Sequence, residues 1–542
     1  MESARTGKPH DAVVIGAGHN GLVAANLLAD RGWSVLVLES EEWPGGAVRS
    51  DHHRGYTHDL FSAFYPLAAA SPILRSLELE QYGLRWERSP TVLAHVLDDG
   101  RAIVLSTDLD ETCASLESFG AGDGERWRRI YTDWERISRP LIEALLSPFP
   151  PIRPALGLFG RLGTHETLRL ARRSVLSVRR FGEEEFRGDG GPLLMAGNAL
   201  HTDLAPEAPL SAFFGLLLTC LGQQVGFPVP AGGAGTLIDA LVSRLVDRGG
   251  RLELGTRVAR ISTDGSSATG VVTADGRRLP ARRAVVADVG APQLYFELVG
   301  RERLPSRFAE DMERFQYDSA TVKVDWALSE TMPWKATEAS RAGTVHVADS
   351  LDALSRYNLD LVTGRIPEEP FLVVGQMTTA DPRRSPPGTE SLWAYTHVPQ
   401  PRSKGGPFPG EWDADARDEV VARMEAKLEK VAPGFTRRVV ERSVLGPHDM
   451  EDLDANLVAG AINGGTAQIY QQLVFRPVPG FARAETPIPR LFLASASAHP
   501  GGGVHGGPGS NAARAALSRH RLRRGALIGG IASLAASWAG KD

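Results

Sequence analysis

The 542-residue sequence predicts a doubly wound α/β domain interrupted by two blocks that build a second, α+β domain. Three observations predict it. A strand, loop, helix and strand fill the first forty residues; short buried-type strands return after residue 228 and again near 490; longer, proline-broken helical blocks lie between. The length alone exceeds what one hydrophobic core fills.

Taken in order, Asp11–Ile15 reads as a strand, Leu22–Arg31 as a helix stopped by Gly32, and Ser34–Leu38 as a second buried strand ending at Glu39. Gly233–Asp247 has helical spacing. Arg251–Leu254, Arg257–Ile261, Thr269–Thr273 and Ala284–Ala287, with turns at Asp264-Gly265 and Asp275-Gly276, predict an antiparallel or mixed addition to a parallel sheet. Arg490–Ala494 is a last buried strand, followed by a glycine-rich loop and a helix from about Asn511. The division that follows assigns 8–75, 228–300 and 441–524 to the α/β domain, 76–227 and 301–440 to the inserted domain, and 525–542 to a tail helix.

Composition narrows the function. Hydrophobic residues make up 42% and charged residues 23%, as in ordinary globular chains. Sixty Lys+Arg against 65 Asp+Glu leave a net charge of -5, without the basic footprint of a nucleic-acid binder. Two distant cysteines, Cys113 and Cys220, exclude a disulfide framework, a Cys-x-x-Cys redox centre and a thiolate zinc site. Such cysteine usage suits a reducing, cytoplasmic compartment. The opening residues lack a secretory signal pattern, and no apolar run reaches the ~18 to 20 residues of a membrane span. Two segments keep peripheral membrane contact open: Leu141–Arg180, which interleaves apolar residues with arginines, and 519–540, basic and then Ala/Gly-rich.

Gly16-x-Gly18-x-x-Gly21 follows a strand and opens a helix, with an acid, Glu39, eighteen positions beyond Gly21 at the next strand end. Gly16 permits the tight turn, Gly18 lets backbone approach a pyrophosphate, and Gly21 lets helix and strand pack closely. His19 and Asn20 lie within this loop, at a helix N-terminus whose free N–H groups attract phosphate. Glu39 can accept from both ribose hydroxyls. A second glycine pair, Gly45-Gly46, and then Arg49 suit the ribityl and phosphate portion of FAD better than a nicotinamide nucleotide. Near the other end, His499-Pro500-Gly501-Gly502-Gly503-Val504-His505 runs on to Ser510-Asn511 between a strand and a helix, and presents the same bare backbone. Two such loops point to one long cofactor held by both ends of the chain.

With Gly55-Tyr56-Thr57-His58-Asp59, Pro230–Gly233 and Leu491–Ala494 leading into His499–Gly503, the chain resembles the phytoene desaturase-type FAD oxidoreductases. Gly446-Pro447-His448-Asp449, Glu451, Gly464-Gly465, Gln471, Arg476-Pro477 and Thr486-Pro487 are similar to the phytoene-dehydrogenase-like subgroup of pyridine nucleotide-disulfide oxidoreductase domain-containing protein 2. The resemblance implies a Rossmann-type FAD-binding domain of glutathione-reductase-like, amine-oxidase-like architecture and an apolar tunnel ending at the flavin. It also implies that the backbone of Val258 reads the adenine edge and that Ser495 lies beside the cofactor, where the family carries a glycine. Leu60-Phe61-Ser62 and Ala484-Glu485 are further departures from the family pattern.

Flavin carries hydride chemistry itself, so the protein must supply position, dryness and, where a proton leaves, a base. His499, His505, His58 and Asp59 are the candidates. Ligand spacing for a metal and a hydrolase elbow are both lacking. A second glycine fingerprint for NADPH is also lacking, which favours O2 or a quinone as electron acceptor. The leading expectation is dehydrogenation of an apolar isoprenoid, polyketide or lipid-like substrate. Amine oxidation, redox-neutral isomerisation and a non-catalytic flavin-binding scaffold stay open beside it, as does the oligomeric state.

Overall fold

A computed structural model describes residues 7–522, so the expected tail helix over 525–542 lies outside the described residues. The strand β1 (His10–Ile15), the helix α1 (His19–Ala29) and the strand β2 (Val35–Leu38) open the chain. β1 is flanked in parallel by β2 and by Arg278–Ala287, and Arg251–Glu253 continues the sheet beyond β2. Its centre is buried from Ala12 to Ile15, as covering helices on both faces require.

Two boundaries differ from expectation for local reasons. α1 starts inside the glycine fingerprint, and the chain leaves it through Asp30 and a left-handed Gly32 (φ +72°). Arg278–Ala287 is longer than the predicted Ala284–Ala287 because it serves two ladders. Its first half pairs antiparallel with Ala268–Thr273, and its second half lies between β1 and Leu491–Leu493. The expected mixed sheet is therefore formed, with Val258–Thr263 at its antiparallel edge.

A second seven-stranded sheet draws on both inserted blocks. Its order is Val439–Leu445, Ala320–Leu328, Glu390–Val398, Leu372–Gln376, Ala342–Val347, Thr91–Val96 and Ala102–Leu105. The blocks join where Ala342–Val347 lies parallel to Thr91–Val96. Strand alternation gives this sheet two unlike faces. Val322, Val324, Trp326, Leu392 and Ala394 pack on Val420, Met424 and Leu428 of the helix Ala414–Val431. Thr321, Lys323, Asp325, Ser391, Trp393 and His397 alternate onto the other face.

Helices Asp123–Leu146, Ile152–Val175, Val178–Glu185, Gly190–Ala199 and Ser211–Val225 complete the first block. The last of these buries Leu217, Cys220 and Leu221. Among the described residues, no helix is long and apolar enough to cross a membrane.

Trp326 is fully buried, meets Phe435 edge to face at 5.4 Å, and donates its indole N–H to Glu425 at 3.0 Å. Trp326→Ala is expected to destabilise the protein by about 3 to 5 kcal/mol through the cavity left behind. A lowered denaturant midpoint for the tryptophan-rich second sheet checks this.

Candidate functional site

The site is built where the head and tail of the described chain meet. β1 ends just before Gly16, whose φ of +91° turns the chain, and α1 begins three residues later. The closing loop reaches this point from Leu491–Leu493. The helix after it, over 507–522, starts four residues earlier than expected because Gly506 turns left-handed (φ +70°) and the Gly507 N–H is capped by His505 Nδ1 at 3.0 Å. The two helix starts touch: at Gly509 a Cβ would fall 2.0 Å from the Asn20 carbonyl oxygen. His19 faces the Gly503 backbone, and burial holds its imidazole down at about 4. The Gly45-Gly46 turn closes a third side. The Gly45 N–H donates to the Ala17 carbonyl at 3.0 Å, and a Cβ on Gly46 would lie 3.6 Å from the Gly18 Cα.

Glu39 is buried at the end of β2. Its Oε2 accepts from the Ala17 N–H at 2.7 Å, and its Oε1 from the Glu41 N–H and the Ser40 hydroxyl, each at 3.1 Å, which leaves a lone pair on Oε2 for a ribose. The Thr256 N–H donates to the Glu39 carbonyl, so the segment leading to Val258 runs alongside this acid. Arg49 lies over the Trp43 ring at 3.8 Å. Ser495 ends the approach to the closing loop, and its carbonyl accepts from the Ala498 N–H at 2.9 Å.

Buried polar atoms without a protein partner gather on these loops: His19 Nε2, Asn20 Oδ1, Arg49 Nη1, Ser510 Oγ and Asn511 Oδ1. Burying such groups unsatisfied is costly, and native proteins rarely do so without a ligand or water. A cofactor rich in phosphate, ribityl and ring polar atoms answers that need. The bare cradle of Gly16, Gly18 and Gly21 fits it too, since a Cβ on Gly18 would lie 2.7 Å from Asp288 Oδ2.

Asp288 is the residue that sequence reasoning missed. It follows Arg278–Ala287 directly, at the carboxyl end of the strand beside β1, where open α/β sheets place their ligands. That position was its readable signal. Its Oδ2 accepts the Gly21 N–H at 2.7 Å. Burial pushes its pKa up to about 8, and the charges of Asp454 and Glu39 add to the shift.

Two buried arginines hold the surrounding segments. Arg384 Nη1 pairs with Asp59 Oδ1 at 3.0 Å and Arg384 Nη2 donates to the Pro230 carbonyl at 3.0 Å. Asp59 Oδ1 also accepts from Ser50 Oγ and the Ala234 N–H. Arg476 is fully buried and donates to the carbonyls of Asn463, Thr466 and Ala496 at 2.8 to 3.0 Å, bracing the loop opposite Gly501.

These contacts engage two of the four acid–base candidates. Asp59 is ion-paired with Arg384. His505 spends both ring nitrogens on its own loop, Nε2 on the Gly502 carbonyl and Nδ1 on the Gly507 N–H, and burial lowers it to about 3. His58 is partly buried, with Nδ1 3.1 Å from Ser391 Oγ and 3.7 Å from Asp325 Oδ1. His499 Nε2 lies 3.2 Å from the Ser147 carbonyl, which makes it the donor and leaves a lone pair on Nδ1.

Fold and site together define an FAD-dependent oxidoreductase. The chain belongs to the flavin containing amine oxidoreductase family, whose model matches residues 21–516. It is 27% identical over 550 residues to pyridine nucleotide-disulfide oxidoreductase domain-containing protein 2 of Mus musculus, covering 93% of this chain and 92% of that one. It is 27% identical over 528 residues to the lycopene-forming phytoene desaturase of Pseudescherichia vulneris, covering 93% and 98%. Among solved structures, an oxidoreductase from Methanosarcina mazei superposes with a TM-score of 0.63 at 17% identity, covering 94% and 99% of the two chains. Putrescine oxidase superposes with a TM-score of 0.60 at 17% identity, covering 95% and 99%. These two likenesses speak for the shared fold.

Gly18→Val is expected to abolish flavin retention, read as loss of the visible flavin band relative to protein absorbance. Asp288 yields a pH prediction. Its folded pKa is raised, so the stability it contributes is full below the ordinary carboxyl value of about 4 and is lost as pH rises through about 8. Asp288→Asn removes that loss, so the variant's melting temperature should gain on the parent's as pH rises across this window.

Proposed function

We propose that the protein dehydrogenates a carbon skeleton of low polarity at a CH–CH bond, as the name of its phytoene desaturase relatives describes for them. The observation that carries this reading is an apolar cavity of about 70 Å³ lined by Ile130, Trp134, Ile137, Leu141, Phe213 and Leu216. The helix that supplies its first four walls, Asp123–Leu146, runs on to Ser147, whose carbonyl accepts from His499. The cavity and the closing glycine loop are thus connected through one helix.

FAD, when bound, supplies an N5 position that accepts hydride. In this reading the Gly16–Gly21 loop, with His19 and Asn20, cradles the pyrophosphate, Glu39 holds the ribose, and the Val258 backbone meets the adenine. Gly45, Gly46, Arg49, Ser495, Pro500–Val504, Ser510 and Asn511 enclose the rest. His499 Nδ1 is placed to take the proton released from the neighbouring carbon. Burial lowers the imidazole to about 4, so it stays neutral and able to accept at physiological pH. The C–H electron pair left by that proton forms the new C=C bond, and the two electrons of the hydride pass on to O2 or a quinone. The reading sets the protein in the cytoplasm and leaves peripheral membrane contact open.

Anaerobic incubation with apolar alkenes, alcohols and amines tests the assignment. Bleaching of the flavin band by an alkene-forming substrate is expected, whereas bleaching by amines alone assigns C–N oxidation instead. His499→Ala should slow the anaerobic reduction by about a hundredfold with flavin content unchanged. Reduction at the parent rate would remove His499 from the chemistry.

A further inference from the structure

We infer that the first half of the helix Ile152–Val175, together with the segment 473–475, is a docking surface for an anionic lipid bilayer that borders the closing glycine loop. No residue of this helix is buried. Ile152, Leu156 and Phe159 are 63%, 65% and 46% exposed, and their spacing puts them on one stripe. Gly157 and Gly160, on the same half, have no heavy atom within 4 Å of where a Cβ would stand, so that side is open too. The half ends at Gly163, whose φ of 69° and ψ of 178° break the helix.

Charge divides the helix in the same place. Beyond the break, Arg172 pairs with Glu184 at 2.7 Å and Arg173 with Asp133 at 3.2 Å, which ties this stem to the body. Before the break, Arg153 and Arg161 have no carboxylate within ion-pair distance among the described residues, and 152–162 contains no acid. Exposed apolar side chains flanked by free guanidinium groups match an anionic headgroup layer over acyl chains. A partner protein lacking negative charge would leave the two arginines unanswered.

A second, separate segment completes the surface. Leu473, Val474 and Phe475 are exposed as well. Their neighbours Gln472 and Arg476 stand 3.4 to 3.5 Å from a Cβ position on Gly501. Phe149, three residues before the helix, meets the His499 ring edge to face at 5.7 Å. Both apolar segments therefore adjoin the loop 499–501. A bilayer resting on them would cover the approach to His499, so a lipid-soluble substrate could arrive without crossing water. Only that last point rests on the proposed function, because lipid binding itself is measured with no substrate present.

Flotation of the FAD-loaded protein with phosphatidylcholine vesicles, with and without phosphatidylglycerol, tests the surface. The parent is expected to float with the anionic vesicles and to be released by salt. Arg153→Glu with Arg161→Glu should lower the partition roughly thirtyfold or more, and Leu156→Ser with Phe159→Ser should lower it comparably, both with full flavin content. Flotation of the parent with neither vesicle, or equal flotation of parent and variants, overturns the inference. So does a parent dimer that the Leu156→Ser, Phe159→Ser variant converts to monomer, because the patch would then be a self-association surface.

Discussion

Close approach of two helix N-termini is the constraint on which the rest of this structure depends. α1 and the helix over 507–522 meet so tightly that position 509 has no room for a side chain beside the Asn20 carbonyl. Each start carries backbone N–H groups with no partner inside its helix, and their partial positive charges converge on one spot. Acids gather around that field: Asp288 on the Gly21 N–H, Glu39 on the Ala17 N–H, and Asp454 against Gly46. Burial raises Asp454 to about 6 and Asp288 further.

Segments distant in the chain are kept around that junction by buried charge. Arg384, with no exposed surface, links Asp59, Asp381 and the Pro230 carbonyl, so the early loop and both later segments share one fastening. Arg476 does the same for the tail, reading carbonyls from Asn463 to Ala496, while Asp318 accepts the N–H groups of Ile462 and Asn463 beside it. The planar guanidinium fork suits both places because it satisfies several carbonyls from one rigid group. The loops opposite the glycine fingerprint are thereby fixed from beneath.

The second sheet links this frame to the substrate side. Its apolar face is closed by the helix Ala414–Val431, and its polar face carries Lys323 and Asp325, paired at 2.5 Å, with His58 and Ser391 near by. Apolar side chains of the first block's helices line a cavity beside Trp134, and Ile152 and Leu156 of the same block are exposed.

Residues close in sequence carried their own information. The strand, glycine loop, helix and acid from Asp11 to Glu39 follow local rules of turn geometry and periodicity, which is why the α/β class and its opening strand–loop–helix were legible from sequence. The limits of α1 and of Arg278–Ala287 were less legible, since one depends on where a loop turns and the other on a strand that serves a local hairpin in its first half and remote strands in its second. The roles of Asp59, His505, Asp288 and Arg476 were decided only by tertiary structure. An ionisable side chain takes its function from the partner it meets, and Arg384 stands 325 residues from Asp59, as Asp288 stands 267 from Gly21. Local pattern determined what the loops could hold, and long-range packing decided which charged groups hold the loops.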